Sequence, residues 1–177
     1  MARDMTKGRI LPQMTAFAIP LILGNLFQIL YNATDSIIVG KFVGDDALAA
    51  VGTAGPIMNM AILFISGMCM GAGILMSTLY GAKDMKNLEK QISTTLIGGL
   101  VFSLLIAFLM IAFAVPILRL INSPEEIIES AAIYLRVVFL GLIFTFVYNF
   151  LANTLRALGD SRTPLYFLVI SAFLNVA

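Results

Sequence analysis

Long apolar stretches separated by short polar joints dominate the pattern of this chain. Each stretch is roughly 30 residues long, whereas about 20 apolar residues of helix already cross the hydrocarbon core of a bilayer. The pattern predicts an all-α, polytopic membrane helix bundle with four long helices and the beginning of a fifth. Their predicted bounds are about 11–39, 47–80, 88–120, 125–158 and 164–177. Because the fifth helix stops at the last residue, we expect 1–177 to be an incomplete N-terminal transmembrane lobe.

Capping residues mark the joints between these helices. Asn87 is the expected cap of the third helix, and Thr163 with Pro164 is expected to open the fifth. In "INSPEEII", Ser123 and Glu126 have the spacing of a capping box, in which each side chain bonds a free backbone N–H at the other's position. The joints therefore predict three helix starts.

Basic residues are distributed unequally between the two sides of the predicted bundle. Of the 11 lysines and arginines, those on one side are Arg3, Lys7, Arg9, Lys83, Lys86, Lys90, Arg156 and Arg162. They lie in the N-terminal segment and near the joints after the second and fourth helices. Since cytoplasmic loops of membrane proteins carry the excess of Lys and Arg, we expect a multi-pass protein of the cell (inner) membrane with a cytoplasmic N-terminus.

Composition supports the lipid bilayer as the surrounding partner. Apolar residues make up 60% of the chain, charged residues only 12%, and the mean hydropathy is +0.98. The net charge of +1 argues against nucleic acid as a partner. A single cysteine excludes a disulfide within the chain, and the absence of histidine argues against a zinc site. No cofactor is expected, and the sequence contains no phosphate-binding glycine loop that would indicate ATP hydrolysis.

The first predicted helix carries a polar face. Asn25, Gln28, Asn32 and Asp35 are spaced 3, 4 and 3 residues apart, which places them on one side of a helix. A polar stripe facing lipid would be unfavourable at every position, so this face is expected to contact protein or water.

Polar residues recur at helical spacing on three further helices. They are Thr145, Asn149, Asn153 and Arg156, then Ser171 and Asn175, then Asn59 and Ser66. Inward strips on four helices predict a bundle around a hydrated cavity. The alternative is simple hydrogen bonding between helices, worth about 0.6 kcal/mol per bond, and we favour it for the isolated Asn59 and Ser66. The residues expected to line the cavity and contact substrate are Asn25, Gln28, Thr145, Asn149 and Asn153.

Asp35 is the one carboxylate predicted to lie within a span. Placing a charged side chain at the centre of a membrane helix costs about 2.5–3.5 kcal/mol. Desolvation disfavours the charged form, which makes protonation possible, and with Asn32 the carboxylate can alternatively hold a small hard cation such as Na⁺. Either chemistry couples an ion gradient to a conformational change. A static salt bridge, or a position near the outer interface, remains the structural alternative.

Two segments carry a resemblance to a known family. "AIPLILGNLFQILYNATDSIIVGKFVGDDALAAVG" resembles the first helix and following loop of the multidrug and toxic compound extrusion (MATE) transporters, and "LRALGDSRTP" is similar to their joint between helices 4 and 5. The resemblance spans essentially the whole chain. It implies a transporter, not an enzyme, with two six-helix lobes. Such a protein exports cationic, lipophilic drugs in exchange for H⁺ or Na⁺.

The resemblance also implies roles for individual residues. Pro20 matches the bend of helix 1, Asp35 the aspartate of the N-lobe ion site, and Asn175 an asparagine of that site. The expected partner is the second lobe of the same full-length chain, so we expect residues 1–177 to be inactive alone.

Two alternatives remain open. A lipid-linked precursor flippase of the same superfamily would need a cavity rich in Arg or Lys for phosphate, and the sequence shows no inward cationic cluster. An intramembrane enzyme would need a second catalytic group beside Asp35, and the predicted spans contain none.

Overall fold

The computed structural model describes the backbone of residues 10–42 and 45–176. It does not describe the side chains of 31–32, 35–36, 38–40, 42, 45–48 and 172–176. Every element within these ranges is an α-helix. The helices are α1 (Ile10–Phe42), α2 (Asp45–Gly81), α3 (Met85–Ala112), α4 (Ala114–Leu120), α5 (Glu125–Leu140), α6 (Leu142–Ala157) and α7 (Arg162–Val176).

Three stretches of the described chain are long and apolar enough to cross a membrane. They are Ile10–Leu30 of α1, Ala49–Gly81 of α2, and the whole of α3. The pair α5 and α6 meets the same criteria jointly as one span bent by 43°. Each single-helix stretch is 21 to 33 residues long and so reaches or exceeds the roughly 20 residues that the hydrocarbon core requires.

Two helices that the sequence predicts as continuous are interrupted. The predicted helix 88–120 breaks at Phe113, because Pro116 has no N–H to donate to the carbonyl of Ala112. The predicted helix 125–158 breaks at Gly141, whose N–H donates to the carbonyls of both Val137 and Val138, at 3.4 and 3.0 Å. This shared bond tightens the turn where the two segments bend.

The cap of α3 differs from the one predicted. Helix α3 begins at Met85, and Asp84 supplies its cap: Oδ1 accepts from the backbone N–H of Asn87 at 3.2 Å. The side-chain amide of Asn87 donates to Oδ2 at 2.6 Å. The prediction of Asn87 as the cap is wrong, because Lys83 (φ 59°) reverses the chain one residue before the aspartate. Asn87 is the donor to the cap.

The cap of α7 is shifted in the same way. The helix begins at Arg162, and Asp160 Oδ1 accepts from the backbone N–H groups of Arg162 and Thr163 at 3.0 and 3.1 Å. Oδ2 accepts from the Thr163 hydroxyl at 2.8 Å. Thr163 is therefore a donor and the prediction of it as the cap is wrong. Gly159, at φ 87°, again turns the chain immediately before the aspartate.

The predicted capping box at Ser123 is also wrong. Pro124 occupies the N-cap position of α5 with ψ 135°, and no side chain caps the helix. Ser123 therefore lies one residue too early, and its buried Oγ has no hydrogen-bond partner among the residues described. Glu125 and Glu126 occupy the first turn, where negative charge interacts favourably with the helix dipole.

The chain divides into two compact units, each built from separate stretches of sequence. Unit 1 comprises Met1–Asp35, Met70–Thr94 and Phe150–Ala177, and unit 2 comprises Ser36–Cys69 and Thr95–Asn149. The core of unit 2 contains large, fully buried side chains from α2, α5 and α6, namely Ile65, Leu135, Phe139, Leu142 and Phe146. The core of unit 1 includes Met76, Leu88, Phe150 and Ala152.

Candidate functional site

The three residues predicted to couple the ion fall where side chains are not described. The backbone of Asn32 and Asp35 belongs to α1, and that of Asn175 to α7. Within unit 1 these two helices pack together at Gly24, where an added Cβ would lie 3.8 Å from Leu165 and 3.7 Å from Leu168. The fold therefore brings together the two helices that carry the predicted ion-coupling residues.

The remaining polar face of α1 can be described in part. Pro20 is buried inside the uninterrupted helix α1, and Asn25 and Gln28 are exposed on the same helix. Neither amide lines the cavity described below.

The polar row of α6 joins this helix to α2 within unit 2. The Ser66 hydroxyl donates to Asn149 Oδ1 at 3.2 Å, and Asn149 Nδ2 donates to the backbone carbonyl of Thr145 at 2.9 Å. All three residues are half-buried. Ser66 thus makes the interhelical hydrogen bond that was the favoured interpretation of its position. It also engages Asn149, one of the residues predicted to line a cavity.

Further along α6, in unit 1, the polar row reaches a cavity of about 480 Å³. Its wall is built by α1, by the C-terminal half of α2, by the end of α6 and by the turn that follows. The lining residues are Phe17, Met70, Gly73, Ile74, Ser77, Tyr80, Gly81, Asn153, Arg156, Ala157 and Gly159. Asn153 is the one predicted substrate-lining residue among them.

Arg156 is the one charged residue among the described residues of this wall. Its Nε is buried, and no acceptor lies within hydrogen-bonding distance in the part of the chain that the structure describes. The carboxylate next along the chain, Asp160, is occupied by its bonds to Arg162 and Thr163. The cavity is therefore a cationic and largely apolar site.

The carboxyl group of Asp160 is held in its charged form. Burial by itself raises the pKa of Asp160, but hydrogen bonds from the Thr163 N–H, the Thr163 hydroxyl and the Arg162 N–H outweigh it and lower the pKa below its usual value. Asp160 is thus a charged residue whose role is to cap the start of α7.

Metal binding has no support in the described residues. Within 10–42 and 45–176, the side chains described include no group of three or more His, Cys, Asp or Glu that could hold a metal ion.

Comparison with known proteins decides the family. The MatE family model matches residues 20–177. The chain belongs to the MATE family. As a member of a family of transporters it is not an enzyme, as the sequence predicted.

The MATE chain is similar to a longer bacterial protein over almost its whole length. It is 35% identical over 176 residues to the "Probable multidrug resistance protein YpnP" of Bacillus subtilis, covering 98% of this chain and 39% of that protein. The chain therefore spans about two fifths of this relative's length.

Solved structures give the same correspondence. A MATE protein in the straight conformation matches with a TM-score of 0.90 at 25% identity, over 99% of this chain and 40% of that one. A MOP superfamily transporter from Pyrococcus furiosus matches with a TM-score of 0.90 at 25% identity, over 99% of this chain and 39% of that one. The predicted all-helical membrane bundle, matching the N-terminal portion of a MATE transporter, is confirmed.

Most of the cavity in this MATE chain is not predicted by the sequence. The helical spacing puts Arg156 on the polar row of α6 and near a helix end, but not in a site. Its spacing of three from Asn153 was the available signal. Phe17, Ser77 and Tyr80 come from two other helices, and no local pattern relates them to α6.

Proposed function

We propose that this chain is part of a secondary active multidrug efflux antiporter that exports cationic, lipophilic compounds in exchange for H⁺ or Na⁺ by alternating access. One observation carries the proposal: the MATE family model matches from residue 20 to residue 177. The relative named a multidrug resistance protein supports drugs as the substrate class.

In this proposal Asp35 binds the coupling ion, with Asn32 and Asn175 as neighbouring oxygen ligands. The contact of α1 with α7 at Gly24 supports this grouping, because it joins the helices that carry these residues. A bound ion shifts the equilibrium between two conformations only by binding one of them more tightly. Pro20, which removes one backbone hydrogen bond within α1, is the proposed bend point.

The proposed drug contacts are the amide and hydroxyl groups of Asn25, Gln28, Thr145, Asn149 and Asn153. Amide oxygens accept hydrogen bonds without adding charge, and apolar neighbours contact the lipophilic part of a drug. The second lobe of the full-length chain completes this surface, so residues 1–177 alone are expected to give no efflux. The N-terminus is proposed to be cytoplasmic, in the inner membrane.

The deciding experiment replaces Asp35 in the protein expressed from its complete reading frame. Asp35→Asn removes the ionisable group at nearly constant size and is expected to abolish gradient-driven ethidium efflux from cells. Asp84→Asn is the matched control, because asparagine caps helices about as well as aspartate. Membrane insertion is checked for both by surface labelling. Undiminished efflux by Asp35→Asn would remove the coupling role.

A lipid-linked precursor flippase is the second candidate. It is favoured by the cationic Arg156 in the cavity wall, and the similar Pyrococcus furiosus transporter is described as having a pocket of reverse polarity that suggests a different function. A single arginine among the described lining residues is fewer than a diphosphate group requires, which ranks drug efflux first. Drug efflux that persists when precursor synthesis is blocked would separate the two functions.

A further inference from the structure

The cavity in unit 1 contains a donor that its surroundings leave without an acceptor. Arg156 Nε is buried, and within the described residues neither a carboxylate nor a carbonyl oxygen accepts its hydrogen. Burying a hydrogen-bond donor without a partner is unfavourable, and more so when the group is charged. Because Arg156 lines the cavity, a ligand with acceptor oxygens can give its guanidinium the partner that the described residues do not.

The rest of the cavity wall defines what kind of ligand fits. Among the residues that the structure describes, the lining includes no Asp or Glu, so Arg156 supplies the charge of this part of the wall. Phe17, Met70 and Ile74 provide an apolar surface, and Ser77 and Tyr80 provide hydroxyl groups. A ligand with an anionic, oxygen-rich head and an apolar body is complementary to this combination.

The cavity lies where a lipid head group is expected. Gly81 ends the candidate span Ala49–Gly81, and Ala157 ends the bent pair α5 and α6, so the cavity lies at the same end of both spans. Lys83 lies in the turn after α2, and Lys86 and Arg162 lie in the first turns of α3 and α7. With the orientation proposed above, this is the cytoplasmic leaflet, whose anionic lipids attract basic residues.

We propose that this cavity is a binding site for an anionic phospholipid, with Arg156 contacting the head-group phosphate and the apolar wall contacting an acyl chain. Arginine suits this role because its planar guanidinium can donate two parallel hydrogen bonds to one phosphate. A cationic drug is disfavoured there by repulsion from the same guanidinium. Asn153, proposed above as a drug contact, also lines this cavity, so the lipid site overlaps the proposed drug surface at this residue.

The test measures lipid retention by the complete protein in native mass spectrometry after purification in mild detergent. The probes are phosphatidylglycerol, phosphatidylcholine with the same acyl chains, and inorganic phosphate. The wild type is expected to retain phosphatidylglycerol in preference to phosphatidylcholine. Arg156→Gln is expected to weaken this retention at least about tenfold, because hydrogen bonds to charged groups contribute about 1.5–3 kcal/mol. Arg136→Gln is the matched control, since Arg136 is exposed on α5 and does not line the cavity.

A second variant keeps the test valid if Arg156→Gln does not fold. Ile74 lines the cavity and is 60% exposed, so Ile74→Trp can fill the space without burying a new large side chain in the core. It is expected to reduce phosphatidylglycerol retention while Arg156 stays in place.

Three results would overturn the proposal, and the first two concern lipid retention. One is equal retention of both lipids by the wild type, and the other is unchanged retention in Arg156→Gln and Ile74→Trp. Binding of inorganic phosphate alone, without retention of lipid, would overturn the lipid as the source of the phosphate. Asp35→Asn should retain lipid normally, so failure of the ion-coupling proposal and failure of the lipid site are separable.

Discussion

The two compact units differ in how their helices are held. In unit 2 large side chains fill the interior: Ile65, Phe139 and Phe146 have no more than 1% of their surface exposed. Helix α3 approaches α6 so closely that a Cβ on Gly99 would overlap the ring of Phe146. In unit 1 the corresponding contact of α2 with α6 is looser, since a Cβ on Gly73 would lie 3.6 Å from the Cβ of Asn153.

The two units also differ in how their helices begin: the more loosely packed unit 1 has the side-chain caps. In unit 1, Asp84 and Asp160 each cap a helix through two oxygens. In unit 2, α5 begins without any side-chain cap, and it packs against α4. The comparison teaches that dense packing can hold a helix start without a cap. The unit that keeps open space fixes its helix ends by local hydrogen bonds.

The largest expected effect is on packing, and paired glycine substitutions measure it. Gly99→Ala places a methyl group into the ring of the fully buried Phe146, and such overpacking costs about 1–3 kcal/mol. Gly73→Ala meets only ordinary van der Waals contacts and gains helix propensity, so it should be neutral or stabilising by up to about 1 kcal/mol. Thermal unfolding of the complete protein in detergent compares the two.

Phe146→Leu supplies the control for this pair. If the ring is the obstacle, Gly99→Ala should cost less in the Phe146→Leu background than in the wild type, because contacting sites are not additive. Equal destabilisation by the two glycine substitutions in the wild type would contradict the difference in packing.

The sequence predicted the helical architecture because its signal is local. A long apolar run between polar joints needs no knowledge of neighbours, and the bounds of α1, α2 and α7 differ from those predicted by one to three residues. Breaks within the helices are harder to predict from the sequence. Proline occurs within predicted helices at 20, 56 and 116, yet among the described helices only Pro116 lies beside a break, and the 43° bend occurs at Gly141. Tertiary packing decides whether a lost hydrogen bond becomes an interruption.

The capping errors have a different cause. "DMKN" and "DSRT" each contain an aspartate three residues before a second good capping residue, so local sequence offers two helix starts of similar quality. The residues before the aspartates, Lys83 and Gly159, have positive φ and select the earlier start. Gly159 was a readable signal for such a turn, whereas Lys83 was not.

The cavity could be predicted only on α6. Asn153 and Arg156 lie on a periodic row, but the apposition of Phe17 and Tyr80 with this row is a property of the assembled helices. The roles of Asp35, Asn32 and Asn175 stay predictions, because their side chains lie outside the described residues.

A smaller effect is expected at the helix starts. Here the substitution in unit 1 should destabilise the protein more than the substitution in unit 2, which is the reverse of the glycine pair. Asp160→Ala removes three hydrogen bonds at the start of α7 and should destabilise by about 1 kcal/mol, within the range of about 0.5–2 known for caps. Ser123→Ala removes a buried hydroxyl that caps nothing, so it should be neutral or slightly stabilising. A larger cost for Ser123→Ala would mean that α5 does have a cap.

The charge of Asp160 adds a pH dependence to the same comparison. Folding lowers the pKa of Asp160, so its stabilising contribution is present above the ordinary value of about 3.9 and is lost as the pH falls through the lower, folded value. Asp160→Asn keeps a capping oxygen but cannot ionise. The stability difference between wild type and Asp160→Asn should therefore be constant from pH 7 to about pH 5 and shrink below about pH 4. A difference that grows on acidification would have the wrong sign for a hydrogen-bonded carboxylate.

The smallest expected effect concerns polar contacts between α2 and α6, one in each unit. In unit 2 the Ser66 hydroxyl donates to an amide oxygen of Asn149 at 3.2 Å, and in unit 1 the Thr154 hydroxyl donates to the Met76 sulfur at 3.6 Å. Thioether sulfur is a weak acceptor, so the two bonds should differ in strength although they join the same helices. A double-mutant cycle of Ser66→Ala with Asn149→Leu should give a coupling of about 0.6 kcal/mol, the average for hydrogen bonds between membrane helices. The cycle of Thr154→Val with Met76→Leu should give a coupling near zero. If the second coupling equalled the first, the thioether would be as good an acceptor here as the amide oxygen, which would contradict the expected difference between the two contacts.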